Sequence, residues 1–475
     1  MNKSAPTLKL NIGRTFLIGL AFMSISLFWE IYDAVMPLFL RNFPIFVKSK
    51  TLMSIIMALD NLLALFLLPY IGRLSDNLPN LVKNQKYLKY GKRIPFIVVG
   101  TVLAVIFMMF VTLGHETQNL ALMLTATVFL LISMSLYRSP AVALMPDLTP
   151  KPLRSKANAI INIMGLVGGV LAVIFTGIFL KTRTELIDQR KVKFIDFGLQ
   201  NWWLMIVVAA TMLVAIIVLV LCIRENKLLE EKQKLLSDLG VEEDEPAEEA
   251  SLEKKGGLLK KLELTKPQLI SLLLLLSAAF FWYMAYNGAK TFYTTFYFEY
   301  LGREDFQLPL IIGQLAGFFA FVPAGLLCGK IGRKNTVLVG IGSCIIGFVL
   351  GTIMAFTVPQ DNDKLINLFM ILAFLFVGIG WATINVPAYV MSVEMAKKHN
   401  TGVFTGLYYS FTMTAQMITP ILIGAITDLS STLQYMFPYS LGLMLLALVA
   451  MLFVRHGNSK PLKQSAIELL GQEDN

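Results

Sequence analysis

The sequence predicts an all-α integral membrane protein of twelve transmembrane helices, arranged as two six-helix bundles related by a pseudo-twofold axis. Three observations predict it. Apolar residues make up 56% of the 475 residues and charged residues only 15%, far from the roughly half-apolar, quarter-charged mix of a soluble domain. The apolar residues are gathered in nearly uncharged blocks of about 20 or more, the length a helix needs to cross a hydrocarbon core about 30 Å thick. A charged break near the middle of the chain leaves about six such blocks on either side. Because lipid satisfies no free backbone N–H or C=O, each block is expected to be a helix.

The blocks fall at roughly 15–40, 51–71, 94–114, 119–146, 157–180, 201–223, 268–298, 306–328, 335–357, 366–393, 402–426 and 434–454. The first follows Lys3, Lys9 and Arg14, as a signal peptide would, but it is too long, carries Glu30 and Asp33 and lacks a small-residue cleavage site. It is read as a retained first helix. Lys and Arg crowd the segments on one side: Arg73 to Arg93 after block two, Lys151 to Lys156 after block four, Lys330 to Lys334 after block eight, and Arg455 to Lys463 at the end. The other side holds mainly Arg41, Lys48, Lys50 and a cluster from Lys181 to Lys193. The positive-inside rule then predicts a multi-pass protein of the cell (inner or plasma) membrane with both termini cytoplasmic. Topology thus accounts for the formal charge of +10, and a nucleic-acid partner is excluded. The expected divisions are an N-terminal bundle over 1–223, a cytoplasmic linker over 224–265, a C-terminal bundle over 266–455 and a tail over 456–475. The linker mixes both charges around an acidic stretch and reads as part helix, part disorder.

The two halves repeat each other. LFWEIYD at 27–33 in block one answers FFWYMAYN at 280–287 in block seven, with one residue inserted. RSPAVALMPDL at 138–148 in block four lies over NVPAYVMSVEM at 385–395 in block ten, pairing Pro140 with Pro387 and Asp147 with Glu394. After block two stands GRLSDN, an insertion and then GKR at 91–93; after block eight stands GLLCGKIGRK at 325–334. Parallel six-helix repeats holding a substrate between them near the midplane are an architecture of secondary transporters.

The GRLSD…GKR segment resembles the loop 2–3 signature of the major facilitator superfamily, and the resemblance implies the major facilitator fold. It also implies that Asp76 with Lys92 and Arg93, and Arg333 with Lys334 in the second copy, make charged contacts that latch an inward gate. This chain departs from the signature by the insertion LPNLVKNQKYLKY and by Gly329 in place of the second acid.

Ionisable residues inside a membrane cost on the order of 2.5–3.5 kcal/mol at mid-helix and mark function by default. The acids here are Glu30, Asp33, Asp60, Asp147, Glu299 and Glu394; the bases are Arg138 and Lys290. Carboxylates in such excess raise their pKa and tend to hold a proton, so proton coupling through Asp147, Asp33, Glu30 and Asp60 is the sharper expectation. Glu30 and Asp33 share one helical face. Arg138 and Asp147 are nine apart, on opposite faces of an ideal helix, and are not expected to pair. A cavity for a sugar needs a few polar groups among aromatic faces. The candidates are Trp29, Arg138, Asp147, Asn158, Asn287, Lys290, Gln314, Asn385, Tyr389, Glu394, Tyr408 and Gln416, with Tyr32, Trp282, Tyr286, Tyr293 and Tyr409 as further aromatics.

No phosphate loop, H-E-x-x-H motif, nucleophile elbow or buried Ser/His/Asp set occurs, which argues against an ATP-driven pump and against an enzyme. Cys222, Cys328 and Cys344 sit in apolar blocks and read as core residues. His115, His399 and His456 are placed in loops or the tail, so no metal site and no cofactor is expected.

YRSPAVALMPDLTPKPLRSKANAIINIMG at 137–165, with GKRIPFI at 91–97, resembles the sucrose and disaccharide proton symporters of the glycoside-pentoside-hexuronide group, which include plant sucrose carriers and their animal relatives. The shared pattern P-x-x-A-L-x-x-D-L is met by Pro140, Ala143, Leu144, Asp147 and Leu148, followed by Ala-Asn-Ala at 157–159. The resemblance implies that Asp147 serves both sugar binding and proton coupling, and that Lys181 or Arg183 stands for a basic residue near the outer end of helix 5. The function expected is proton-coupled symport of a disaccharide such as sucrose or maltose by alternating access, by a monomer in the lipid bilayer, with H+ or else Na+ as coupling ion. A sodium-coupled glycoside symporter, an amphiphile or drug exporter and a non-transporting membrane sensor are the alternatives.

Overall fold

The computed structural model describes residues 10–81, 90–150, 153–187, 190–238, 264–395 and 401–457. Among these are twelve helices long and apolar enough to cross a membrane. They are α1 (Ile12–Arg41), α2 (Lys50–Asp76), α3 (Ile94–Glu116), α4 (Leu120–Leu148), α5 (Arg154–Phe179), α6 (Leu199–Cys222), α7 (Lys266–Thr291), α8 (Gln307–Ile331), α9 (Arg333–Thr357), α10 (Asp363–Glu394), α11 (Thr401–Ser430) and α12 (Met436–Phe453). Each expected block is a helix. The seventh is shorter than its apolar run, because α7 stops at Thr291 and the chain continues through one short turn and a π-helical turn, Phe296–Tyr300.

Small residues set how closely the helices approach. A Cβ at Gly100 of α3 would meet the Tyr137 backbone nitrogen of α4 at 2.6 Å, and one at Gly340 of α9 would meet the Ile384 backbone nitrogen of α10 at 2.9 Å. The third and fourth helices of each half are thus joined the same way, as the internal repeat predicts. Tyr137 closes the first half further: fully buried, it donates to the Ala21 carbonyl of α1 at 2.8 Å. Ser139, two residues on, donates to the Leu68 carbonyl of α2 at 2.9 Å. Leu, Ile, Val and Phe side chains exposed on α3, α4, α6, α9 and α12 form the apolar outer faces that lipid covers.

Contacts group the chain into two compact units: Met1–Phe43, Leu62–Arg183 and Ile195–Glu245 form one, and Pro44–Asn61, Thr184–Phe194 and Pro246–Asn475 the other. The grouping cuts α2 between Asn61 and Leu62. Inside the second unit the start of α2 is held by Asp428 of α11, which accepts from the Lys50 and Thr51 backbone N–H groups at 2.6 and 2.9 Å and from the Ser49 and Thr51 hydroxyls. That carboxylate caps a helix from another part of the chain. Lys50 adds an ion pair to Glu299 beyond α7.

Shorter elements lie outside the expected blocks. The basic cluster from Lys181 to Lys193 overlaps a two-stranded sheet, β1 (Thr182–Ile187) and β2 (Arg190–Ile195). In the linker, Glu225–Asp238 is helical and belongs to the first unit, where Glu231 pairs with Arg14 at 3.1 Å; residues 239–263 lie outside the described residues.

Candidate functional site

At one end of the first unit, the expected latch residues come together around a single guanidinium. Asp76 is the last residue of α2, and the chain returns through Gly91, Lys92 and Arg93 into α3. Arg93 is buried, 4% exposed. Its Nη2 donates to Asp76 Oδ1 at 2.6 Å, its Nε to Asp147 Oδ2 at 3.0 Å, and its Nη1 to the Ser75 hydroxyl. Lys92 Nζ is 3.1 Å from Asp76 Oδ1 and 3.8 Å from Asp147 Oδ2. Planar guanidinium donors suit this fork between two carboxylates. Asp147 takes the second place from the last turn of α4, which ends at Leu148, and its carboxylate faces Arg93 and Lys92.

The second unit repeats the pair. Arg333, the first residue of α9, makes an ion pair with Glu394 at the end of α10, so Arg93 and Arg333 correspond, as do Asp147 and Glu394. Lys334 has a different task, donating to the Leu452 and Val454 carbonyls at 2.6 and 2.7 Å and so satisfying the carboxyl end of α12.

Further along α1, Trp29 lies beneath Arg138 of α4, whose guanidinium carbon is 5.8 Å from the ring centroid, within cation–π range. Tyr32 meets Trp29 edge-on at 5.7 Å. Trp29 Nε1 is buried and makes no hydrogen bond among the described residues. Glu30 and Asp33 are both partly exposed on this same stretch of α1. Asp60 accepts from its neighbour Asn61 at 2.8 Å and belongs to the other unit.

The second unit carries a denser aromatic set. Trp381 of α10 stacks flat on Tyr286 of α7, 3.9 Å between centroids and 14° between planes, and meets Tyr283 edge-on at 5.0 Å. Asn385, one turn beyond Trp381, accepts from the Tyr283 hydroxyl at 3.3 Å and donates to the Trp381 carbonyl. Tyr389, a turn further, contacts Tyr408 and Tyr409 of α11, with centroids 5.7 and 5.8 Å away. Asn287 and Gln416 turn their amide nitrogens onto their own helices, donating to the Tyr283 and Thr412 carbonyls. The buried Gln314 Oε1 accepts no hydrogen bond among the described residues. Lys290 is partly exposed near the end of α7. The Asn158 side chain lies outside the described residues.

Trp381 was absent from the expected set, although Trp381, Asn385 and Tyr389 stand four residues apart and so line one helical face. His115 also differs from expectation. It lies in the last turn of α3, fully buried, with Phe39 stacked on one face at 3.9 Å and Phe197 on the other at 4.9 Å. Asn42 donates to its Nε2 at 2.8 Å and Glu116 Oε1 meets its Nδ1 at 3.0 Å. A loop assignment failed because the apolar run ends one turn before the helix does. His456 pairs with Ser271 at 2.8 Å; His399 lies outside the described residues. Of the two basic candidates after α5, Arg183 donates to the Ile195 carbonyl at 3.0 Å and lies over Phe197; Lys181 is exposed. Among the described residues no group of three or more His, Cys, Asp or Glu is placed to hold a metal ion.

Two solved structures share this fold. One is a crystal structure of a mutant of the nucleoside transporter NupG, 12% identical, covering 94% of this chain and 100% of its own with a TM-score of 0.65. The other is a POT family transporter in complex with a thioalcohol-conjugated peptide, 13% identical, covering 93% of this chain and 95% of its own with a TM-score of 0.63. No curated protein matches the sequence. The sequence model of the Major Facilitator Superfamily matches residues 18–413; this chain belongs to that superfamily and is a multi-pass membrane transporter, not an enzyme.

Proposed function

We propose that the chain is a proton-coupled symporter of a sugar, a disaccharide such as sucrose or maltose, working by alternating access with both termini cytoplasmic. The observation that carries this reading is the face of α10 presenting Trp381, Asn385 and Tyr389 beside Tyr283, Tyr286, Tyr408 and Tyr409. Aromatic faces receive the C–H sides of a sugar ring, and amides exchange hydrogen bonds with its hydroxyls. By itself the first unit carries Trp29, Arg138 and carboxylates at Glu30 and Asp33 able to take a proton from one side of the membrane and release it to the other.

Asp147 links the proton to the gate. Ionised, it shares the Arg93 guanidinium with Asp76; protonated, it is a poorer acceptor and the fork loosens. A carrier that opens inward only after protonation needs a charged group whose partner holds the gate. Asp147→Asn is the test: the amide cannot ionise, so accumulation driven by a proton gradient should disappear while exchange of labelled for unlabelled sugar continues. Uphill uptake at the rate of the unsubstituted protein would remove Asp147 from the coupling step.

A second reading, transport of a nucleoside or another planar glycoside, draws on the flat Tyr286–Trp381 stack, a surface that also suits a heterocyclic base. Competition of labelled sucrose uptake by nucleosides separates the two.

A further inference from the structure

The linker after α6 has no part in the gate described above, yet its first helical residue, Glu225, is fully buried at 0% exposure. Among the described residues its carboxylate makes no ion pair with a lysine or arginine side chain. It turns onto the start of α3, where Oε1 accepts from the Lys92 N–H at 3.0 Å and Oε2 from the Arg93 and Ile94 N–H groups at 3.0 and 3.2 Å. These are backbone donors that the first turn of a helix leaves without an intrahelical partner, and a negative charge there also opposes the helix dipole. α3 has no cap of its own, since Arg93 occupies that position and offers no acceptor. Burial raises the carboxyl's pKa above its ordinary value, and the three backbone donors oppose that rise.

Gly91 shows that the fit is built in. Its φ is +101°, in the region that favours glycine, and any Cβ placed on it would collide with the Glu225 carboxylate and Cβ. The glycine of the loop 2–3 signature is therefore where the linker carboxylate enters. Two more linker-helix contacts anchor the same end of the unit: Lys232 Nζ to the Asp147 carbonyl at 3.3 Å, and Glu231 to Arg14 at 3.1 Å.

The geometry points to Glu225 as the positioning residue of the inward latch: by holding the backbone of Lys92 and Arg93, it aims the Arg93 guanidinium at Asp76 and Asp147 and makes the linker helix part of the gate. Glu225 touches neither carboxylate of the fork and acts through Arg93. This inference rests on reading Asp76, Arg93 and Asp147 as a latch. It does not depend on which molecule is carried.

The test uses the full chain with its three cysteines replaced, labelled with spin probes at Asn77→Cys, beyond α2, and Asn335→Cys, on α9, and measured by pulsed electron paramagnetic resonance without substrate. Arg93→Gln is the reference and should broaden the distance distribution toward longer values, whichever sugar or other cargo is transported. An unchanged distribution in Arg93→Gln would remove the latch reading itself. Given that reference, Glu225→Ala should produce the same shift, Glu225→Gln, which keeps the volume and one acceptor, a smaller one, and the Glu225→Ala/Arg93→Gln double variant no more than Arg93→Gln alone, the non-additivity expected of residues acting as one. Backbone hydrogen exchange at Lys92 to Ile94 should rise by about fivefold or more in Glu225→Ala, the scale of a lost helix cap. Faster exchange with an unchanged distance distribution, or a shift that adds to that of Arg93→Gln, would overturn the positioning role.

Discussion

Asp147 and Trp381 show how far single side chains decide behaviour here. Asp147 lies 3.0 Å from the Arg93 Nε, so its loss leaves a buried guanidinium with Asp76 and Ser75 as its remaining fork. Trp381→Ala deletes the ring that stacks on Tyr286 at 3.9 Å and removes the largest flat surface on the α10 face. The half-saturating sugar concentration should rise by about tenfold, the scale of one aromatic contact of about 1.5 kcal/mol, while the maximal rate falls less; concentration-dependent uptake separates the two. Tyr283→Phe should have a smaller effect in the same direction, a few-fold, because it deletes the 3.3 Å hydrogen bond to Asn385, worth about 0.5–1.5 kcal/mol. At this scale the sequence was readable where residues stand at helical spacing or in a known signature. Glu30, Asp33, Asp147 and the aromatic candidates of α10 and α11 were singled out as candidates on that basis. Glu225 was hidden because a carboxylate that caps a distant helix leaves no local pattern: its partners are backbone groups more than a hundred residues earlier.

Among the elements, α2 and α3 take their starts from carboxylates supplied by other helices, Asp428 for α2 and Glu225 for α3. Asp428→Ala should speed hydrogen exchange across Lys50 to Met53 by about fivefold, following a cap worth about 1 kcal/mol, while exchange in the interior of α6 stays unchanged. Gly91→Ala should lower the thermal midpoint of the purified protein, because it combines a positive φ of +101° with a collision against Glu225. A midpoint equal to that of the unsubstituted chain would contradict the close fit. The twelve spans were legible because lipid demands long apolar helices, and their limits were missed where polar residues extend a helix past its apolar run, as at His115. The strands Thr182–Ile187 and Arg190–Ile195 escaped notice because six-residue segments do not stand out between apolar blocks of about 20 residues.

For the molecule as a whole, the internal repeat is the organising fact. The Gly100 and Gly340 approaches, the Pro140 and Pro387 positions, and the Arg93–Asp147 and Arg333–Glu394 pairs recur in corresponding helices. Chemistry is less symmetric than architecture. The first unit carries the Asp76 fork and the Glu30 and Asp33 carboxylates, whereas the second carries the Trp381, Asn385 and Tyr389 face, a division that suits proton handling in one half and ring recognition in the other. That division gives the most direct measurement of the proposed activity: uptake of labelled sucrose and maltose into proteoliposomes under an imposed inward proton gradient, with a sodium gradient and no gradient as controls. At least one of these sugars should accumulate above equilibrium with the proton gradient alone. Accumulation only with sodium, or no uptake of either sugar under any gradient, would contradict the proposed activity.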